Sequence, residues 1–455
     1  MKAINPANGK LIKNYDEHTD EDVANILDDM HAAWQTWRDT SFAERSTLMH
    51  KAADVLRQHK ERYAQLMTDE MGKPITQSRA EIEKCAWVCD FYADEAESML
   101  VDEPAESDGK DAFVRFQPLG IVLAVMPWNY PHWQVWRFAA PALMAGNVGA
   151  LKHASNVPGS ALAIEEVFTL AGFPKDVFRT LLIGSKQVEK VIRNDKVRAV
   201  TLTGSEQAGS LVAAQAGSEI KRTVLELGGS DPFIVLDDVD VDQCALQAVK
   251  GRMINTGQSC IAAKRFIVLK DIAKEFQKRY VTFMEAQKLG DPRDPQTQVG
   301  PLAKEQFVND IDALVQDAVK KGAKLVTGGK RAMRDGYYYE PTLLTDVTPD
   351  MKIYHEEAFG PVAVLYRAKD EDEAIRIANA TRFGLGASIW SKDVKRALKV
   401  ADRIEAGAVF VNGIVKSDPR LPFGGIKKSG YGRELSHYGI KEFCNIKTYW
   451  VGEGK

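Results

Sequence analysis

The chain has 455 residues, 45% hydrophobic and 27% charged, with 60 basic against 63 acidic side chains and a net charge of −3. That length exceeds one simple core and predicts two or three domains of an ordinary globular protein. The near balance of charge excludes a nucleic-acid footprint. The most apolar stretch, 119–128, is too short for a bilayer and holds Gly120 and Pro127. Residues 1–9 lack the apolar run of a secretory signal. Five irregularly spaced cysteines point away from a disulfide scaffold, so a reduced, cytoplasmic protein is expected.

Apolar residues at i, i+3 and i+4 predict helices over 22–37, 42–71 and 78–98. Gly72 and Pro74 separate the second from the third. Cys85 and Cys89, one helical turn apart with no histidine or further cysteine near, read as small packing residues, and no metal site is expected. An acidic loop, 101–109, leads to a short strand over 112–118. From 120 the pattern changes. Strands over 121–126, 149–152, 180–183, 199–201 and 223–225 alternate with helices over 133–144, 159–171, 185–192 and 205–216. Such alternation predicts an α/β fold with a doubly wound parallel sheet. A second series, from 232–236 to about 425, includes strands over 266–269, 359–366 and 408–411 and helices over 304–321 and 370–380. It predicts a second α/β domain. The tail, 441–451, reads as an aromatic-bearing strand.

Two segments carry the chemistry. Cys260 lies in Gly257-Gln258-Ser259-Cys260-Ile261-Ala262, among small and polar neighbours unlike those of a packing cysteine. Upstream, Glu226 opens Glu226-Leu227-Gly228-Gly229, a carboxylate where the backbone must turn or admit a close approach. A thiol that forms a thioester needs a base to activate water afterwards, and the two segments supply both groups. Asn129, between a strand end and a helix start, suits an amide donor to an oxyanion, or a plain helix cap. Thr203-Gly204-Ser205 ends a strand and opens a helix, offering free N–H groups to an anion or simply a capped turn.

With these pieces in order, together with Pro127-Trp128-Asn129-Tyr130-Pro131, Glu357-Ala358-Phe359-Gly360-Pro361 and Pro422-Phe423-Gly424-Gly425, nearly the whole chain resembles the aldehyde dehydrogenase superfamily. The resemblance implies a Rossmann-like cofactor domain over 1–104 and 119–227, a catalytic domain over 228–430, and a small β oligomerisation element over 105–118 and 431–455, in a homodimer or dimer of dimers. It implies Cys260 as nucleophile, Glu226 as the base that hydrolyses the thioester, and Asn129 with the Cys260 N–H as oxyanion donors. The glutamate implies a free acid rather than a coenzyme A ester as product. Some relatives carry a second cysteine two places after the nucleophile. Here that place is Ala262.

The resemblance also assigns cofactor contacts to Trp128, Lys152, Gly204, Ser205, Glu357 and Phe359. Many NAD-preferring relatives carry glutamate at the place of Ser155, where it would repel a 2′-phosphate. Serine removes that repulsion and Lys152 adds a cation, so NADP is expected, with NAD weaker. On the substrate side, Arg137 stands where the branch that oxidises succinate semialdehyde carries arginine, and Ser417 matches a serine of that branch. Both are expected to bind a carboxylate between apolar walls of Trp133 and Phe423. A solvent-facing Arg137 and a turn-forming Ser417 are the plainer readings. The expected function is oxidation of succinate semialdehyde to succinate. The alternatives are another short anionic aldehyde such as glutarate semialdehyde, or a catalytically silent structural member of the fold.

Overall fold

The structure is a computed structural model and describes residues 1–453. Its helices begin where the sequence supplies caps. Thr19 and Ser41 form reciprocal capping boxes with Asp22 and Glu44 at the starts of Asp20–Trp37 and Phe42–Gln58. The helix expected over 42–71 is two helices, Phe42–Gln58 and Lys60–Met71, parted where His59 leaves helical dihedrals (φ −103°, ψ 16°). Neither glycine nor proline marks the break, and apolar periodicity runs across it. The helix Ile75–Met99 follows, with Cys85 and Cys89 fully buried among apolar neighbours. An N-terminal hairpin, Lys2–Asn5 with Lys10–Asn14, has no counterpart in the sequence reading.

A six-stranded sheet runs in the order Gly430–Tyr431, Arg222–Glu226, Val197–Thr203, Ile121–Met126, Val148–His153, Phe178–Thr180. Every pair is parallel except the first. Gly430–Tyr431 straddles the boundary expected at 430 and returns the chain to this first sheet. A seven-stranded sheet runs Lys324–Thr327, Thr342–Thr345, Val362–Ala368, Arg265–Leu269, Pro232–Val235, Gly386–Trp390, Ala408–Val411, and only its first pair is antiparallel. Alternation along its central strands feeds two cores. Ile234 and Ile267 enter one, while Phe233, Val235, Phe266 and Val268 enter the other. Side chains on both faces are therefore apolar, as a parallel sheet covered by helices requires.

A third, antiparallel sheet pairs Cys444–Val451 along the full length of Asp111–Pro118, with Glu103–Pro104 on the far side. The tail strand is shorter than expected because the helix Ser436–Lys441 precedes it. No described helix is long and apolar enough to cross a membrane.

The two large sheets meet end to end around the chemistry. Strands of the first finish side by side, with Met126 opposite His153 and Thr203 opposite Glu226. Their exits carry Asn129, Gly204 and Gly228 to one edge, the customary ligand edge of such sheets. Facing it are the entry loops of the second sheet: Cys260 lies just before Arg265–Leu269, and Glu357 and Phe359 just before Val362–Ala368.

Candidate active site

The Cys260 loop is held in a conformation that its sequence does not favour. Asn255, Thr256 and Gly257 all have positive φ, at 50°, 57° and 75°, left-handed values that cost most residues free energy. The surroundings fix them. The buried Arg252 guanidinium donates to the carbonyls of Ala263 (2.9 Å), Gly257 (2.6 Å) and Gly360 (2.7 Å). Asn255 Nδ2 donates to the Asn129 carbonyl (2.7 Å), and Lys264 Nζ donates to the carbonyls of Ser259 and Cys260 (both 2.8 Å). The glycines after Glu226 serve close approach rather than a turn. A Cβ on Gly229 would stand 2.5 Å from the Cys260 carbonyl oxygen, and one on Gly228 2.5 Å from Glu357 Oε2.

Cys260 is half-buried and borders two cavities. The first, about 530 Å³, takes in Trp128, Asn129, Gly204, Ser205, Glu357 and Phe359. The second, about 230 Å³, takes in Trp133, Arg137, Ser417 and Phe423. Every expected catalytic, cofactor and substrate residue except Glu226, Lys152 and Ser155 therefore lines one of them. Burial pushes the Cys260 thiol up to about 12, against the pull of Lys264 and Arg137. A thiolate therefore needs additional positive charge at the site.

Asn129 does not cap the following helix. Its Nδ2 donates 3.1 Å to the Gln258 carbonyl in the Cys260 loop, and its Oδ1 has no partner. The helix Trp133–Met144 is capped from across the site by Glu81, whose Oε1 accepts from the N–H groups of His132 (3.0 Å) and Trp133 (2.9 Å). Ser205 does cap its helix, accepting from Ala208 N–H at 3.2 Å, which leaves the remaining first-turn N–H groups to the cleft.

Glu226 is neither a surface carboxylate nor a lining residue of either cavity. It is 2% exposed, and both carboxylate oxygens lack a hydrogen-bond partner. Burial raises its pKa to about 8, with Arg137 pulling down and the neighbouring Glu434 pushing up. Arg137, also 2% exposed, is ion-paired with Glu434, reaches Thr203 Oγ1 at 3.3 Å and lies 4.5 Å from the Phe423 ring centroid. The solvent-facing reading of Arg137 is excluded. Trp133 and Phe423 both line the smaller cavity, and each ring carries a cation on its face.

On the other side, Trp128 stacks on Phe307 at 4.8 Å and meets Phe359 edge-on at 5.7 Å. Glu357 Oε1 accepts from Gly229 N–H (3.0 Å) and pairs with Lys264 (3.1 Å). Lys152 and Ser155 lie beyond the cleft, at the end of Val148–His153 and in the exposed turn after it. Burial and then Lys304 lower the Lys152 pKa, and neither lysine has a carboxylate partner among the described residues. Sequence reasoning missed Glu434, Arg252, Phe307 and Lys304. None stands in a short motif, and each owes its role to a distant contact.

A cysteine between two cavities, with an amide donor beside it and a buried carboxylate behind, on two facing α/β sheets, defines an aldehyde-oxidising enzyme architecture. The chain belongs to the aldehyde dehydrogenase family, whose model matches residues 1–449. It is 53% identical over 451 residues, 99% of each chain, to a probable NADP+ succinate-semialdehyde dehydrogenase of Synechocystis sp.. It is 54% identical over 456 residues to NADP+ succinate-semialdehyde dehydrogenase 1 of Mycobacterium ulcerans, covering 99% of this chain and 100% of the relative. Among solved structures, succinic semialdehyde dehydrogenase from Streptococcus pyogenes in complex with NADP+ superposes with a TM-score of 0.97. It is 40% identical, covering 99% of this chain and 100% of that one.

Proposed function

We propose that this chain oxidises succinate semialdehyde to succinate with NADP+, as a homo-oligomer in the cytoplasm. The observation that carries the reading is Cys260 at the junction of a cleft edged by a helix N-terminus and a small cavity lined by the cations Lys84 and Arg137. Relatives sharing more than half of the sequence bear that activity in their names.

The residues present fit a dinucleotide with a 2′-phosphate. First-turn N–H groups after Ser205 suit a pyrophosphate, no carboxylate pairs with Lys152 among the described residues, and position 155 carries no carboxylate to repel the phosphate. Trp128, Phe359 and Glu357 would frame the nicotinamide half. When bound, NADP+ supplies the hydride acceptor.

The chain's own groups do the rest. The Cys260 sulfur attacks the aldehyde carbon. The developing oxyanion lies between the Cys260 N–H and Asn129 Nδ2, and such a donor contributes about 3–4 kcal/mol to transition-state stabilisation. Loss of hydride from that carbon leaves a thioester on Cys260. Glu226 then takes a proton from water as its oxygen attacks the thioester carbon, and the acid leaves as the Cys260 sulfur is released. Glu226 lies near enough for its charge to raise the Cys260 pKa. The edge strand Cys444–Val451 exposes Ile446, Trp450 and Val451 and leaves one side unpaired, a surface suited to assembly. The division into 1–104 with 119–227, 228–430, and 105–118 with 431–455 is part of the same proposal.

The test is an activity matrix of succinate semialdehyde, glutarate semialdehyde and butanal against NADP+ and NAD+. The expected maximum of kcat/KM is succinate semialdehyde with NADP+. Equal turnover of butanal overturns the substrate assignment, and a maximum at glutarate semialdehyde replaces it with the longer acid.

A further inference from the structure

The helix Ile75–Met99 passes the mouth of the smaller cavity, and one of its charged residues reaches inward. Lys84 lines that cavity together with Cys260, Arg137, Trp133 and Ser417. Its ammonium donates 2.8 Å to Ser417 Oγ and stands 4.1 Å from the Trp133 ring centroid. Neither partner is an anion.

The two carboxylates whose charge reaches Lys84 are committed elsewhere. Glu81 is ion-paired with Lys73 and caps the helix at His132 and Trp133. Asp418 takes the Arg420 guanidinium through both oxygens, at 2.8 and 2.7 Å. Burial, and then Arg137, push the Lys84 ammonium down to about 8, the behaviour of a cation removed from water without a counter-charge. Arg137 is in the opposite condition, because Glu434 already neutralises it.

We propose that Lys84, with the Ser417 hydroxyl, receives the carboxylate of the substrate and makes the chain select anionic over neutral aldehydes. This rests on the proposed function, since it names the group that reads the acid end of an ω-carboxylated aldehyde. The ammonium has donors left after Ser417, and the Ser417 oxygen that accepts from Lys84 keeps its own proton to donate. A carboxylate placed there supplies the missing counter-charge through charge-assisted hydrogen bonds. A neutral aldehyde leaves the half-buried ammonium without a counter-charge. The cavity, about 230 Å³, is below the ~300–1,000 Å³ of sites for larger ligands, and it holds Cys260 and Lys84 on one lining. A short chain attacked at one end by Cys260 and gripped at the other by Lys84 fits that arrangement.

The experiment is steady-state kinetics at saturating NADP+ with succinate semialdehyde and butanal for the wild type, Lys84→Met, Lys84→Gln and Lys84→Arg. Lys84→Met keeps the length and apolar character of the stem without the charge, and Lys84→Gln supplies a second neutral variant should the first fail to fold. The expected result is a fall of about 10- to 100-fold in the ratio of kcat/KM for succinate semialdehyde to that for butanal, carried by KM, in the neutral variants. Lys84→Arg should retain most of the ratio. If the wild type discriminates and the neutral variants discriminate equally well, the Lys84 assignment is overturned while the proposed function stands. Parallel loss on both aldehydes also overturns it, by showing a structural role. A wild type without preference for the acid overturns both.

Discussion

The two cavities flanking Cys260 are built from different materials. The larger joins strand exits and entries at Gly204, Ser205, Gly228 and Phe359 to an apolar wall of Trp128, Phe307, Ile311 and Leu314. The smaller is shaped by side chains from four segments: Lys84 on one helix, Trp133 and Arg137 on another, Cys260 and Ile261 in the loop before Arg265–Leu269, and Ser417 and Phe423 in a late loop. A side-chain-built cavity changes its ligand with one substitution, because each charge there lies in a poorly solvated site where unpaired groups are costly. The comparison teaches where selectivity resides. In the proposed reading the aldehyde is chosen by few side chains, and the cofactor preference is set at Ser155, outside the larger cavity.

The largest expected effect strikes what the two sides share. Cys260→Ala removes the sulfur bordering both cavities and should lower kcat by at least about a thousandfold with every aldehyde, while leaving NADP+ binding intact. Steady-state kinetics with a fluorescence titration of the cofactor checks both halves. Undiminished turnover would remove Cys260 from the chemistry.

A smaller effect should fall on one side only. Ser155→Glu places a carboxylate in an exposed turn near Lys152 and should shift the NADP+ to NAD+ ratio of kcat/KM by about 10- to 100-fold toward NAD+. The aldehyde ranking should stay as it was. A changed aldehyde ranking would mean that the two cavities are not separable.

The smallest effect probes the charge behind the substrate cavity. The base proposed for the hydrolysis, Glu226, is effective only when ionised, so that step should rise with pH through about 8, the value to which burial brings its carboxyl. Glu434 opposes ionisation and also occupies Arg137. Glu434→Gln removes a negative neighbour and frees a positive one, and both changes lower the Glu226 pKa. The pH midpoint of the hydrolytic step should move down by about one unit. Single-turnover hydrolysis between pH 6 and pH 9 reads it, and an unmoved midpoint would separate Glu226 from the Arg137–Glu434 pair.

Local chemistry made much of this legible. The segments around Asn129, Glu226 and Cys260, and each strand and helix of the alternation from 120 onward, are written in short stretches of chain; the capping boxes at Thr19 and Ser41 went unread but are equally local. Other features are not. The break at His59 interrupts an unbroken periodicity. Lys84 sits on an amphipathic helix where a lysine reads as solvent-facing, and only packing against Trp133 and Ser417 turns it inward. Arg137 was recognised as a cation, but its ion pair joins residues nearly three hundred positions apart.

By itself the sequence determined the family and the two α/β sheets and nominated Cys260, Glu226 and Asn129 for the proposed chemistry, because these rest on short-range constraints of backbone and chemistry. The tertiary structure alone decided which buried charges neutralise one another. Pairing Arg137 with Glu434, and turning Lys84 toward Ser417 and Trp133 rather than toward an anion, depends on which distant elements are packed together. The free energy of a buried charge is set by its nearest counter-charge in space, whatever the separation along the chain.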